Sequence, residues 1–271
     1  MKRFVILALA LAVATPVIAQ NSGLRRLTDR EDVSGWEGVG RLDLSGRGMC
    51  TGTLIAPDLV LTAAHCTFDR STGHHYPAED ILFRAGYRDG KSVAERRVAQ
   101  IETLAAFEPN GPVSPERIRV DVALLRLVKP IPTSVADPFV LHEGRVYGDK
   151  ISVSSYGRGR AEAISRQRTC QIQWREQGLL AFDCNVTFGS SGSAILSRSG
   201  SRGRILSVVS AGGTTQDGKQ IGYGMELPAV VSQLKQQMRS NAPRPAPRVR
   251  RIQAGTGRNG SGAKFIRPSG G

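Results

Sequence analysis

Leu61-Thr62-Ala63-Ala64-His65-Cys66, answered far downstream by Phe188-Gly189-Ser190-Ser191-Gly192-Ser193-Ala194, decides how this chain is read. Between the two lies Val120-Asp121-Val122-Ala123-Leu124-Leu125. A His, an Asp and a Ser each sit inside a local motif, in that order. Nucleophilic acyl transfer needs these residue types. A hydroxyl is a poor nucleophile at neutral pH until a base within hydrogen-bond reach takes its proton and a third group holds that base in the right tautomer.

Around these motifs the chain reads as short strands with turn punctuation. Trp36 to Leu44, Met49 to Ile55, Leu59 to Thr62, Ile81 to Ala85, Glu95 to Leu104 and Val122 to Leu127 precede a Pro-rich connection from Pro130 to Pro138. A second set follows: Ile151 to Tyr156, Arg168 to Trp174, Leu179 to Cys184, Ser193 to Leu196, Ile205 to Ala211 and Ile221 to Met225. Two sets of six with one linker predict an all-β fold of two packed six-stranded antiparallel β-barrels, about 36–129 and about 150–226. One late stretch is helical in pattern, residues 228–240. It opens on Pro228, and Val230, Val231, Leu234 and Met238 follow at helical spacing.

The ends of the chain read differently. Lys2 and Arg3 precede an apolar run that closes on small residues at Val17-Ile18-Ala19, so residues 1–19 are expected to be a signal peptide, and residues 20–35 an N-terminal segment or short propeptide. Residues 241–271 are rich in Pro, Gly and Arg and hold too little apolar surface to order themselves, so a disordered tail is expected. The net charge of +14 resembles a nucleic-acid signature until it is divided along the chain. Two of those charges lie in the leader and seven in the tail, leaving +5 on the folded part, which does not specify a nucleic-acid partner. Export implies an oxidising compartment, periplasmic or extracellular, where four cysteines are expected to pair. Three pairings are possible. Local geometry favours Cys50 with Cys66, tying the strand from Met49 to the turn carrying His65, and leaves Cys170 with Cys184. No C-x-x-C or H-x-x-x-H cluster suggests a metal, and none is expected.

The order and flanks of the three motifs resemble the trypsin/chymotrypsin-like serine proteases, over roughly residues 36–240. The resemblance implies that His65 is the general base, Asp121 its orienting acid and Ser191 the nucleophile. It also implies a C-terminal helix after the second barrel, and an oxyanion hole from the N–H groups of Gly189 and Ser191. One position departs from the animal digestive enzymes. They carry Gly-Asp-Ser-Gly-Gly, in which the Asp pairs with a newly cut N-terminus, whereas this chain has Ser190 there. Gly-x-Ser-Gly-Ser resembles instead the bacterial glutamyl-endopeptidase branch, as does Trp36-Glu37-Gly38-Val39-Gly40-Arg41-Leu42. Arg25, Arg26 and Arg30 lie where a processing protease could cut.

By the same resemblance the substrate-binding residues are Asn185, Ser210, Ala211 and Gly212. Asn185 stands where trypsin-like members carry an acid, and Val209 where glutamyl-specific members carry a His, so neither charge-selective device is present. Gly212 and Gly222 are expected to leave the pocket open. The chain therefore reads as an exported serine endopeptidase acting as a monomer on protein or peptide substrates, without metal or organic cofactor. Its tail is expected to make weak contact with anionic polymers or lipid and to bind no specific nucleic acid. The rival reading is a protease-fold binding protein attached through its basic tail to anionic surfaces or nucleic acid.

Overall fold

The computed structural model describes residues 23–144, 148–197 and 202–242. The expected leader, and all of the expected tail beyond its first two residues, lie outside them. Strands dominate because the apolar residues recur at a period of two or in short continuous runs. The first set comprises β1 (Leu24–Arg26), β2 (Val39–Leu44), β3 (Met49–Ala56), β4 (Leu59–Thr62), β5 (Ile81–Ala85), β6 (Ala94–Thr103) and β7 (Ala123–Leu127). The second comprises β8 (Lys150–Gly157), β9 (Arg160–Glu176), β10 (Leu179–Phe182), β11 (Ala194–Ser197), β12 (Ile205–Val208), β13 (Ala211–Thr214) and β14 (Gln220–Met225). Helices α1 (Arg30–Val33), α2 (Pro115–Val120) and α3 (Pro228–Ser240) complete the chain.

Barrel one closes in the order β2-β3-β4-β7-β6-β5. In β5 the pattern is strict, with Ile81, Phe83 and Ala85 inside and Leu82 and Arg84 partly exposed. By contrast β4 is buried at all four positions, because both of its faces are covered. Ile131 of the linker donates its N–H to the Pro57 carbonyl, and Phe139 to that of Leu54, so the connection is strapped along barrel one.

The second set forms an eight-stranded antiparallel sheet in the order β12-β11-β8-β9-β10-β14-β13, with β1 added beside β9. It is barrel-like, but hydrogen bonds do not close it as they close barrel one. Its core gathers Ile151, Val153, Ile172, Leu180, Phe182, Ile195 and Leu206 around the Cys170–Cys184 disulfide. Within residues 20–35, expected as an N-terminal segment or short propeptide, β1 pairs Leu24 with Gln167 of β9, and Leu27 and Val33 are buried in the cluster that also holds Trp36 and Tyr156.

Helix α3 follows barrel two in sequence yet packs on barrel one. Val231, Leu234 and Met238 are buried, and Gln100 Nε2 donates to the Met238 carbonyl at 3.1 Å. Asn241, placed in the tail by composition, ends the helix and donates from Nδ2 to the Glu102 carboxylate. The two barrels share one apolar interface that includes Tyr156, Leu196, Val208 and Met225. Across it Tyr156 donates its hydroxyl to the Tyr87 carbonyl at 2.9 Å. Among the described residues no helix is long and apolar enough to cross a membrane.

Candidate active site

His65 is placed by the turn that ends β4. A 3-10 helix, Ala64–Thr67, carries it, and the Cys50–Cys66 disulfide staples that turn to β3 one residue beyond the histidine. Asp121 lies between α2 and β7, and β7 pairs with β4 through Thr62 and Ala123. Neighbouring strands therefore carry the base and the acid to the same end of barrel one.

Asp121 is wholly buried and accepts three hydrogen bonds. Oδ1 takes the His65 backbone N–H at 2.8 Å, and Oδ2 takes His65 Nδ1 at 2.7 Å and Ser210 Oγ at 2.5 Å. Burial works to raise the carboxyl, but the facing His65 and the hydrogen bonds together outweigh it and hold Asp121 below the usual carboxylate range. An ionised Asp121 demands the proton on Nδ1, which leaves Nε2 as the nitrogen able to accept one.

Ser191 enters from barrel two, on the loop between β10 and β11. It lines the same two cavities as His65, though it is not among the ring's hydrogen-bond partners. In an unliganded site such contacts are commonly long and tighten when substrate binds.

The loop is fastened from both barrels. Thr51 of β3, wholly buried, donates its N–H to the Ser191 carbonyl at 2.9 Å and its hydroxyl to the Gly189 carbonyl at 2.8 Å. From barrel two, Arg160 reaches Ser190 Oγ at 3.0 Å, the Ser155 carbonyl at 2.9 Å and hydroxyl at 3.0 Å, and the Asn185 carbonyl at 3.3 Å. No carboxylate pairs with Arg160 among the described residues. Burial draws its guanidinium down to about 10, which leaves it charged at neutral pH. Ser190, where animal digestive enzymes carry an acid, is thus the centre of a network built around a cation. Neither Thr51 nor Arg160 stands in a recognisable motif, and sequence reasoning missed both.

With these bonds made, the N–H groups of Ser190 and Gly192 donate to the Thr187 and Val209 carbonyls, each at 2.8 Å. Those of Gly189 and Ser191 have no acceptor among the described residues. They are the two donors expected of an oxyanion hole. Gly189 sits at φ +92°, a backbone conformation that side chains with a Cβ rarely adopt, so glycine suits the turn that frees its N–H.

Two cavities meet at His65, Arg70, Phe188 and Ser191. The smaller, about 330 Å³, is lined by Val186, Thr187, Ser210, Ala211 and Gly212. Three of the four expected substrate-binding residues therefore come together. Asn185 is not among the lining residues; its N–H donates to Gln167 Oε1 at 2.7 Å and its carbonyl faces Arg160. Gly222 does not open the pocket either. A Cβ at that position would fall 2.2 Å from the buried Phe182 ring, so core packing explains the glycine. Cys50, His65 and Cys66 lie close enough to suggest a metal cluster, but the two sulfurs are bonded to each other and offer no thiolate.

A family model described as the trypsin-like peptidase domain matches residues 50–202. Among curated relatives, the glutamyl endopeptidase of Bacillus licheniformis is 25% identical over 159 residues, covering 58% of this chain and 48% of that protein. Serine protease 23 of Bos taurus is 29% identical over 171 residues, covering 55% and 44%. The match therefore spans less than half the length of either relative. A solved Glu endopeptidase superposes with a TM-score of 0.66 at 18% identity, covering 83% of this chain and all of that one, a likeness of fold.

Proposed function

Because this chain belongs to the trypsin-like peptidase family, we propose that it is an exported serine endopeptidase that cuts peptide bonds through an acyl-enzyme on Ser191. Ser191 Oγ bonds to the scissile carbonyl carbon as its proton passes to His65 Nε2. The negative charge that develops on the carbonyl oxygen is met by the N–H groups of Gly189 and Ser191. The C–N bond then breaks as His65 returns the proton to the leaving amine. Water, deprotonated by the same nitrogen, hydrolyses the ester and restores Ser191. Asp121 stays ionised and stabilises the imidazolium.

One observation carries this reading. Both oxygens of a buried carboxylate are committed to His65 and Ser210, which leaves one imidazole nitrogen for the cavity that Ser191 also lines. Two disulfides in the described chain fit an oxidising compartment. The proposed role of the basic tail is a weak, salt-sensitive contact with anionic polymers or lipid.

The test is to digest a peptide library with the purified mature protein and to map the cut sites. We expect cleavage without a sharp preference for Arg or Lys, or for Glu or Asp, on the amino side of the cut bond: the smaller cavity carries no trypsin-like acid and no glutamyl-type histidine, and of its two arginines Arg117 is taken up by the Glu108 and Pro109 carbonyls while Arg70 is shared with the larger cavity. Strong selection for either charge class at that position would contradict the pocket assignment. Absence of any cleavage would contradict the activity.

A further inference from the structure

The larger cavity, about 870 Å³, meets the one lined by Ser210, Ala211 and Gly212 at His65, Arg70, Phe188 and Ser191, and takes the rest of its lining from different residues. If the smaller cavity takes the acyl side of the substrate, as the function proposed above has it, the larger one receives the leaving-group side. Its walls include Met49, the Cys50–Cys66 disulfide, Phe68 and Tyr76. Its charged lining residues are Arg47, Asp69, Arg70 and Arg158.

Those charges do not cancel. Asp69 is the one acid in the lining, and its carboxylate is already committed. It pairs with Arg47 and accepts from the Ser71 N–H at 2.9 Å and from the Ser71 hydroxyl at 2.6 Å. Arg70 and Arg158 are exposed, and neither has a carboxylate partner among the described residues. Arg158 is nevertheless held in place. Its guanidinium lies over the Phe188 ring, 4.3 Å from the centroid, and its backbone N–H donates to the Phe188 carbonyl at 2.7 Å. Arg70 lines both cavities, beside His65.

We propose that this cavity is a subsite for acidic side chains immediately C-terminal to the scissile bond, with Arg70 and Arg158 as its specificity-determining residues. A carboxylate entering there finds two guanidinium groups that match its planar geometry and have no carboxylate partner among the described residues. A lysine or arginine in the substrate meets like charge. Exposed ion pairs are individually modest, so the selection is graded, about threefold to tenfold between an acidic and a neutral residue, and weakens as salt screens it.

The experiment uses three quenched peptides that differ only in the two residues after the cut bond, carrying Glu, Gln or Lys. The expected order of kcat/KM is Glu, then Gln, then Lys, with the spread shrinking at high ionic strength. In Arg70→Ala/Arg158→Ala the Glu-to-Gln ratio falls to about one, and Arg158→Glu shifts the preference toward the Lys peptide. Equal rates for all three peptides, or an unchanged ratio in the double variant, would overturn the proposal. Binding of the same peptides to Ser191→Ala, read by fluorescence anisotropy, should follow the same order without turnover. Cleavage without the charge order counts against this subsite alone. Ordered binding with no cleavage by the wild type counts against the peptidase reading alone.

Discussion

Ser191→Ala should lower turnover of a short peptide by about 10⁴- to 10⁶-fold, and Asp121→Asn by about 10⁴-fold, with the fold intact in both. The serine change removes the atom that forms the acyl bond and leaves only binding and the oxyanion donors to act. The aspartate change is smaller in volume but reverses a hydrogen-bonding requirement. Asp121 accepts from three donors, the His65 N–H, the His65 ring and the Ser210 hydroxyl. An amide in its place has one oxygen and one NH₂ group, so a donor must face a donor or the imidazole must take the tautomer that puts its proton on Nε2. That tautomer cannot accept from Ser191. Burst-free steady-state kinetics together with near-UV circular dichroism would separate lost chemistry from lost structure. Turnover within tenfold of wild type in either variant would mean that another group serves as nucleophile or that Asp121 has no role in orienting the base.

Arg160→Met should lower kcat by about 10²-fold or more, with a much smaller change in KM, because an oxyanion donor that is no longer aimed costs about that much in rate. The methionine keeps much of the apolar stem and removes the cation that fastens Ser190 Oγ, Ser155 and the Asn185 carbonyl beneath the nucleophile loop. Arg160→Lys should restore part of the loss, since an ammonium supplies the charge but cannot span the same set of acceptors. Ser190→Ala should be milder, because Arg160 retains its other acceptors. A merely structural Arg160 would lower the melting temperature of Arg160→Met and leave its kcat near wild type at low temperature, which is the result that would contradict this role. In animal digestive enzymes the corresponding loop waits for a cut N-terminus to supply the cation. Here the chain supplies one internally.

Much of this architecture is legible in the chain because it rests on local signals. The bounds of β4, β5 and α3 follow from apolar periodicity and from Pro228 at the first turn. Cys50–Cys66 follows from local geometry beside the turn carrying His65, and Cys170–Cys184 is the pair that this leaves. Other features carried a signal that the pattern reading passed over. Ser114 followed by Pro115 is a helix start, and the Ser114 hydroxyl does accept the Arg117 N–H at 3.2 Å, yet α2 was not expected ahead of Asp121. Strand β9 begins at Arg160, eight residues before its expected start: Ala161-Glu162-Ala163 has little β propensity, and the extension is held by pairing of Arg160 with Gly157 and of Ser165 with Ser155 of β8 and by a bridge from Ala163 to Arg88. A third class has no local signature at all. Thr51 meets Gly189 across 138 positions, from one barrel to the other, and Arg160 meets Ser190 across 30 within barrel two, so only tertiary packing reveals what they hold. Gly222 looks like a pocket residue in the sequence because its neighbour, Phe182, lies across a strand pair.

The central claim is that Ser191, activated through His65 and Asp121, is a covalent nucleophile. It is tested most directly by exposing the folded protein to a fluorophosphonate probe and measuring its intact mass, then locating the adduct by peptide mapping. The account predicts one adduct per chain, on the peptide containing Ser191, absent from Ser191→Ala and formed far more slowly in Asp121→Asn. An unmodified protein, or an adduct that persists in Ser191→Ala, would contradict it.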